Sequence, residues 1–153
     1  MRRQLEINID GASRGNPGPG AIGVVIRESG KVIQELSRTI GEVTNNVAEY
    51  TALIFALQEA LILKADELKI YTDSELLYHQ ILGQYKVKNP NLKTLFEQVQ
   101  HLADGFKKID ISHIPREQNK DADKLANKAL DTEQAKTVAS VFRAGEESPS
   151  SKG

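Results

Sequence analysis

The sequence contains no cysteine and no tryptophan, and aromatic residues make up only 5% of its 153 positions. Without cysteine there is no disulfide framework and no thiolate metal site, which fits a reducing compartment and an expected cytoplasmic location. No charge of one sign dominates: 20 Lys and Arg stand against 21 Asp and Glu, for a net charge of −1. A uniformly basic nucleic-acid binder is thereby excluded, and any phosphate-binding surface must be local. Long hydrophobic runs are missing as well. The longest apolar stretch, Ala52 to Leu63, is interrupted by Gln58 and Glu59, so no membrane span is expected. The opening MRRQLEINID has two Arg but no apolar segment of signal-peptide length. No repeat of solenoid or propeller length is present. What remains is a chain sized for one domain whose core needs no covalent staples.

The patterning divides this length into alternating elements. In LEINID, Leu5, Ile7 and Ile9 fall on one side and Glu6, Asn8 and Asp10 on the other, the period of a strand. GASRGNPGPG follows, too rich in Gly and Pro for a helix or a central strand. AIGVVIRE and KVIQELSRTI flank Ser29-Gly30 and predict a β-hairpin. From Asn46 to Leu63 the period becomes helical, with Val47, Tyr50, Ile54, Leu57 and Leu61 on one stripe. LKIYTD predicts a strand, Ser74 to about Leu82 a helix, and Gly83 to Asn91 a polar connection. Leu92, Leu95, Phe96, Val99 and Leu102 mark another amphipathic helix. FKKIDISHI predicts a strand, PREQNK a turn, and Asp121 to Leu130 a final helix. The order is therefore three antiparallel strands followed by parallel β-α-β units, an α/β protein with a five-stranded mixed sheet flanked by helices. Residues 1–131 are expected to form the domain and 132–153 a partly flexible tail, with EESPSSKG at its end polar and loose.

Four acids sit at the ends of separate elements. Asp10 and Asp73 each close a strand in its polar phase. If those strands are parallel neighbours, both carboxylates emerge at one C-terminal edge, where open α/β sheets place their sites. Asp also ends strands simply because it favours turns. Glu49 shares helical phase with Leu53, Ala56 and Ala60, so it points inward, and it also suits a capping box with Asn46 as N-cap. Asp123 lies in phase with Ala126 and Leu130, although Asp121 is an equal candidate for a helix-start acid. Carboxylates that cluster either raise one another's pKa or bind cations. With no Cys and three His, the fitting cation is a hard one with oxygen ligands, Mg²⁺ or Mn²⁺. Two such ions about 4 Å apart would clamp the attacking and leaving oxygens of a phosphodiester.

The segments IDGASRGNPGPG, TNNVAEYTAL, YTDSELL and HIPREQNKDADKLAN resemble the four motifs of type 1 ribonuclease H, in order and at suitable spacing, from about residue 5 to 131. The resemblance implies a ribonuclease H-like fold and endonucleolytic hydrolysis of the RNA strand of RNA/DNA hybrids. It implies two Mg²⁺ ions, with Mn²⁺ able to substitute, and products ending in 5′-phosphate and 3′-hydroxyl. Asp10, Glu49, Asp73 and Asp123 match the family's metal-binding carboxylates, with Asp10 bridging both ions. Gly15, Asn16, Asn45 and Asn46 match positions that contact the minor groove, where 2′-hydroxyls distinguish RNA from DNA. Thr44 and Asn45 match a pocket for a DNA-strand phosphate, and Ser74 lies beside Asp73.

His113 stands ten residues before Asp123, the spacing of a mobile catalytic His in many relatives, but IPREQN after it lacks the Gly of a flexible loop. It is either that His or a packed strand-end His. His79 and His101 are expected as surface or packing residues. Residues 83–91 carry only two Lys, so the basic protrusion of some relatives is expected to be missing. Tyr85, Lys86, Lys88 and Arg116 are the candidate backbone contacts. The expected protein is a monomer with no obligate protein partner and no membrane association, whose partner is the RNA/DNA hybrid. A nuclease of the same fold acting on RNA duplexes or junction DNA, or a noncatalytic binding module, are the rivals.

Overall fold

The computed structural model describes residues 2–146, with side chains placed through Val141. The period-2 segments form strands β1 (Gln4–Ser13), β2 (Gly18–Glu28), β3 (Lys31–Val43), β4 (Glu67–Thr72) and β5 (Lys108–His113). They assemble as one sheet in the order β3-β2-β1-β4-β5. β1–β2 and β2–β3 pair antiparallel, while β1–β4 and β4–β5 pair parallel, as a hairpin meander followed by crossovers requires. Ser29 (φ 51°) and Gly30 (φ 80°) make the β2–β3 turn with two positive φ angles, the geometry that matches strand twist in a tight hairpin.

The helices are α1 (Asn45–Ile62), α2 (Glu75–Ile81), α3 (Pro90–Ala103) and α4 (Lys120–Glu146), with a short 3₁₀ turn at Arg116–Gln118. α1 covers one side of the sheet, and α3 packs on α1. There Leu5, Ile7, Ile9, Ile22, Val24, Ile26, Leu68 and Ile70 meet Tyr50, Leu53 and Leu57, each at most 2% exposed. α4 packs on the other side, against β1, β2 and β3, with a smaller apolar patch of Ala21, Ala129 and Leu130. β2 is thus covered on both sides and reads as an almost unbroken buried run.

Four boundaries differ from the sequence expectation. Strand pairing reaches into GASRGNPGPG: β1 runs to Ser13, and Gly18-Pro19-Gly20 belongs to β2, because Gly18 and Gly20 pair with Val43 and Gly41 on β3. The N-cap of α1 is Thr44, not Asn46; its hydroxyl accepts from the Val47 amide, which leaves Asn45 and Asn46 inside the first turn. The PREQNK turn contains a 3₁₀ turn. The last helix does not stop at Leu130 but runs to Glu146, since DTEQAKTVAS has no stop signal even though buried contacts end at Leu130. Arg14 holds that extension from the sheet side, bonding Asp131 at 2.5 Å and Gln134 at 3.1 Å. Of the expected loose end EESPSSKG, residues 147–153 lie outside the described residues. No described helix is long and apolar enough to cross a membrane.

Candidate active site

The parallel register of β1 on β4 runs Ile7↔Ile70 and Asn8↔Tyr71, so Asp10 and Asp73 reach the same C-terminal edge. Glu49 arrives from α1. Oxygens of Asp10, Glu49 and Asp73 lie within 4.8 Å of one another. Two close backbone approaches make this meeting possible. At Gly11 a Cβ would stand 2.2 Å from the Ala48 carbonyl carbon, and at Gly23, paired with Asp10 across the sheet, 2.0 Å from the Ala122 carbonyl oxygen. Only glycine lets the N-terminal turns of α1 and α4 lie this near the sheet. Both glycines were missed in the sequence; a Gly inside an alternating strand was the available signal.

Glu49 is 9% exposed and accepts a hydrogen bond from the Gly11 amide at 2.5 Å. That contact, rather than a return bond to an N-cap, fixes its carboxylate. Asp10 is 6% exposed. Burial, and after it the charges of Asp73 and Asp123, pushes the Asp10 carboxyl up to about 8. Burial and the Asp10 charge hold Glu49 well above the usual carboxylate range, with the Gly11 amide opposing. Arg116 is the cation that acts on both acids, lowering each, and its Nη2 lies 3.9 Å from Asp123 Oδ1. Asp123, on the first turn of α4, stands outside the group of three but beside Asp10, whose protonated form it favours by charge and hydrogen bonding. Asp121 faces away and pairs with Arg27 at 2.7 Å.

The other candidate residues fall into two groups. Around the edge, His113 is exposed, with Nε2 3.3 Å from the Asp73 carbonyl oxygen and its ring 5.8 Å from that of Tyr78. Ser74 caps α2, accepting from the Leu77 amide at 3.2 Å. Asn119, which sequence reasoning did not single out, is 1% exposed and donates to the Ile9 carbonyl at 2.8 Å and to Asp73 Oδ2 at 3.3 Å. No local pattern marks it, because its partners lie 110 and 46 residues away.

The second group lies at the start of α1. Asn45 Oδ1 accepts from the Ser13 amide (3.1 Å) and hydroxyl (2.9 Å), and Asn16 Oδ1 accepts from the Asn45 amide (3.0 Å). These bonds join the β1–β2 loop, where Gly15 has φ 121°, to the helix. The amide NH₂ groups of Asn16, Asn45 and Asn46 donate to no partner among the described residues and are exposed. Lys86 and Lys88 are exposed on the connection between α2 and α3. That connection is held from below: Tyr50 Oη donates to Gln80 Oε1 at 2.7 Å, and Gln80 Nε2 donates to the Lys86 carbonyl at 3.2 Å.

A protein family described as "Reverse transcriptase-like" matches residues 8–129. "Bifunctional protein Rv2228c" of Mycobacterium tuberculosis is 42% identical over 155 residues, covering 98% of this chain and 43% of that protein; the chain thus spans under half the length of this relative. The crystal structure of RNase H1 from the halophilic archaeon Halobacterium salinarum superposes with a TM-score of 0.83 at 42% identity, covering 84% of this chain and 98% of that one. LC11-RNase H1, isolated from compost, in complex with RNA/DNA hybrid, gives a TM-score of 0.80 at 44% identity, covering 85% and 99%. The five-stranded mixed sheet and its flanking helices are shared with both.

Proposed function

The chain belongs to the ribonuclease H1 family, and from that premise we propose that it hydrolyses the RNA strand of RNA/DNA hybrids, leaving 5′-phosphate and 3′-hydroxyl ends. The observation that carries this reading is the cluster of Asp10, Glu49 and Asp73 oxygens within 4.8 Å. Two of these acids are driven toward protonation by burial first and then by neighbouring carboxylates, Asp73 and Asp123 at Asp10 and Asp10 at Glu49. Such a set of hard oxygens fits a divalent cation of the Mg²⁺ kind, with Mn²⁺ able to substitute. Asp10, Glu49 and Asp73 would hold it, and Asp123, beside Asp10, would complete the place for a second. Two such ions supply, when bound, activation of a water and stabilisation of the leaving 3′ oxygen.

The chain's own groups do the rest. His113, exposed beside Asp73, is placed to carry a proton at the rim. The unengaged NH₂ groups of Asn16, Asn45 and Asn46, with Gly15 keeping the loop slim, suit 2′-hydroxyls in a minor groove. The first turn of α1 has no acid, so Thr44 and Asn45 at its start suit a DNA-strand phosphate. Arg116, 3.9 Å from Asp123, and Ser74, next to Asp73 in the chain, suit the phosphate nearest the carboxylates, and the exposed Lys86 and Lys88 suit other backbone phosphates. The short connection over residues 82–89 supports the form of the family without a basic protrusion. On this reading residues 1–131 are the catalytic domain and 132–153 an appendage, and the protein acts as a monomer without an obligate protein partner.

The test is cleavage of a labelled RNA strand paired with DNA, with Mg²⁺, Mn²⁺ or chelator, beside single-stranded RNA and an RNA/RNA duplex. Metal-dependent cleavage confined to the hybrid is expected. Asp10→Asn should lower it by several kcal/mol of transition-state stabilisation, roughly 10³-fold. Full activity in that variant, or equal cleavage of single-stranded RNA, would overturn the proposal.

A further inference from the structure

Beneath the carboxylates, on the α4 side of the sheet, runs a chain of hydrogen bonds with a single direction. Arg27, on β2, donates from Nη1 to Asn8 Oδ1 at 2.9 Å and from Nη2 to Asp121 at 2.7 Å. Asn8, on β1, donates from Nδ2 to Asn119 Oδ1 at 3.0 Å. Asn119 then donates from Nδ2 to the Ile9 carbonyl and to Asp73 Oδ2. A guanidinium has no acceptor; a backbone carbonyl and an ionised carboxylate have no donor. The two ends therefore fix both amides between them. Turning either one over would set oxygen against oxygen.

We propose that Asn8 is a positioning residue: it passes the polarity of Arg27 to Asn119, and through Asn119 it sets the Asp73 carboxylate for a divalent cation. The inference deepens the function proposed above and rests on it for the reaction, though not for the direction of the hydrogen bonds. Two features favour this role over plain packing. Beside it on the same side of the sheet lies an apolar patch of Ala12, Ala21, Ala129 and Leu130, and an apolar trio of matched shape would cost little stability here. The chain of bonds also ends on a member of the acidic cluster instead of closing on itself.

Asn8→Asp and Asn8→Ala, in the full chain, separate the alternatives. Aspartate keeps the Arg27 partner but offers Asn119 only acceptors, so the Asn119 amide must turn its NH₂ toward residue 8 and its oxygen toward Asp73. Alanine merely releases the amide. The expected order of Mn²⁺ affinity, measured by calorimetry without nucleic acid, is wild type, then Ala about threefold weaker, then Asp roughly tenfold weaker. kcat on the hybrid follows the same order with KM unchanged. Melting temperature in chelator follows another order: in Asp the ion pair with Arg27 offsets the turned Asn119 amide and holds it near wild type, and Ala is lowest.

A purely structural role would rank affinity as it ranks melting, and the added charge of aspartate acting alone would tighten the metal; either result overturns the proposal. The Asn119 side-chain amide resonances give a readout that needs neither metal nor turnover, and they must shift in Asn8→Asp. Unchanged resonances refute the relay. If wild type binds Mn²⁺ yet cleaves no hybrid, the function proposed above fails while the affinity order still tests the relay.

Discussion

The two sides of the sheet are built for different tasks. Beneath α1, the middle of β1 and β2 presents aliphatic side chains, and the buried polar pair Tyr50 with Gln80 is bonded within itself and to the Lys86 carbonyl. Beneath α4, the same strands present Asn8, Asp10, Gly23 and Arg27 beside the apolar patch of Ala12 and Ala21, and the directed contacts are hydrogen bonds from Arg27 to Asn8, Asn8 to Asn119 and Ser37 to Leu125. A dispersed apolar layer tolerates small displacements, because its attraction has no direction. A hydrogen-bonded layer does not. The first therefore supplies stability and the second aims groups, and the carboxylates lie at the strand ends where the two meet. Glu49 comes from the apolar side, Asp123 from the polar side, and Asp10 from the strand between.

The sharpest way to break this division is to remove volume from the apolar side. Leu57, 1% exposed on α1, should cost about 3 kcal/mol when replaced by Ala, through lost burial and the cavity left behind. Urea unfolding measures this. The same variant, assayed well below its melting temperature, should keep hybrid cleavage within about twofold per folded molecule. A tenfold loss of kcat would mean that the apolar layer also aims the site.

That division also decided what could be read from the sequence. The apolar side was legible because burial on one face writes a period, of 2 in LEINID and of 3.6 in the helix after Asn46. The acids were legible because they end those periodic runs and fall within motifs of recognisable spacing. The polar side was not. Gly23, Asn8 and Asn119 have their meaning only across the sheet, where Asp10 pairs with Gly23 and Asn119 reaches Ile9. Thr44 and Asn46 are both good caps by type, and only the Val47 amide decides between them. The extension of α4 past Leu130 went unread because buried contacts end there although helix-forming residues do not.

The second prediction concerns the seam. In chelator, the Asp10 carboxyl gives up its proton near pH 8 in the folded chain, against the ordinary carboxylate value when unfolded. Between those values the unfolded chain has lost a proton that the folded chain keeps, so raising the pH favours unfolding. The loss starts near pH 4 and is complete above about 8, and Glu49, shifted the same way, adds to it. Each unit of pKa difference amounts to about 1.4 kcal/mol. We expect the Asp10 group alone to lower metal-free stability by about 2 kcal/mol from about pH 6 to 8. Asp10→Asn should flatten that slope and be the more stable protein at pH 8, while Mg²⁺ should restore the wild type. Denaturant midpoints at three pH values, with and without Mg²⁺, measure all of this. A slope of the opposite sign would mean that neither burial nor neighbouring charge raises these carboxyls in the folded chain.

The smallest effect probes the polar side away from the carboxylates. Ser37 lies in the same cross-strand row as Gly23 and Asp10, and its hydroxyl donates to the Leu125 carbonyl of α4 at 2.5 Å. Unlike the bonds of Asn8, this one leads to no acid. Ser37→Ala should therefore cost about 1 kcal/mol, the worth of one neutral hydrogen bond, and leave Mn²⁺ affinity and kcat unchanged. Melting and calorimetry on this variant complete the comparison with Asn8→Asp, which is expected to keep its stability and bind Mn²⁺ roughly tenfold more weakly. If Ser37→Ala weakened metal binding as much as Asn8→Asp does, the seating of α4 as a whole, and not one directed chain of amides, would govern where Asp73 points.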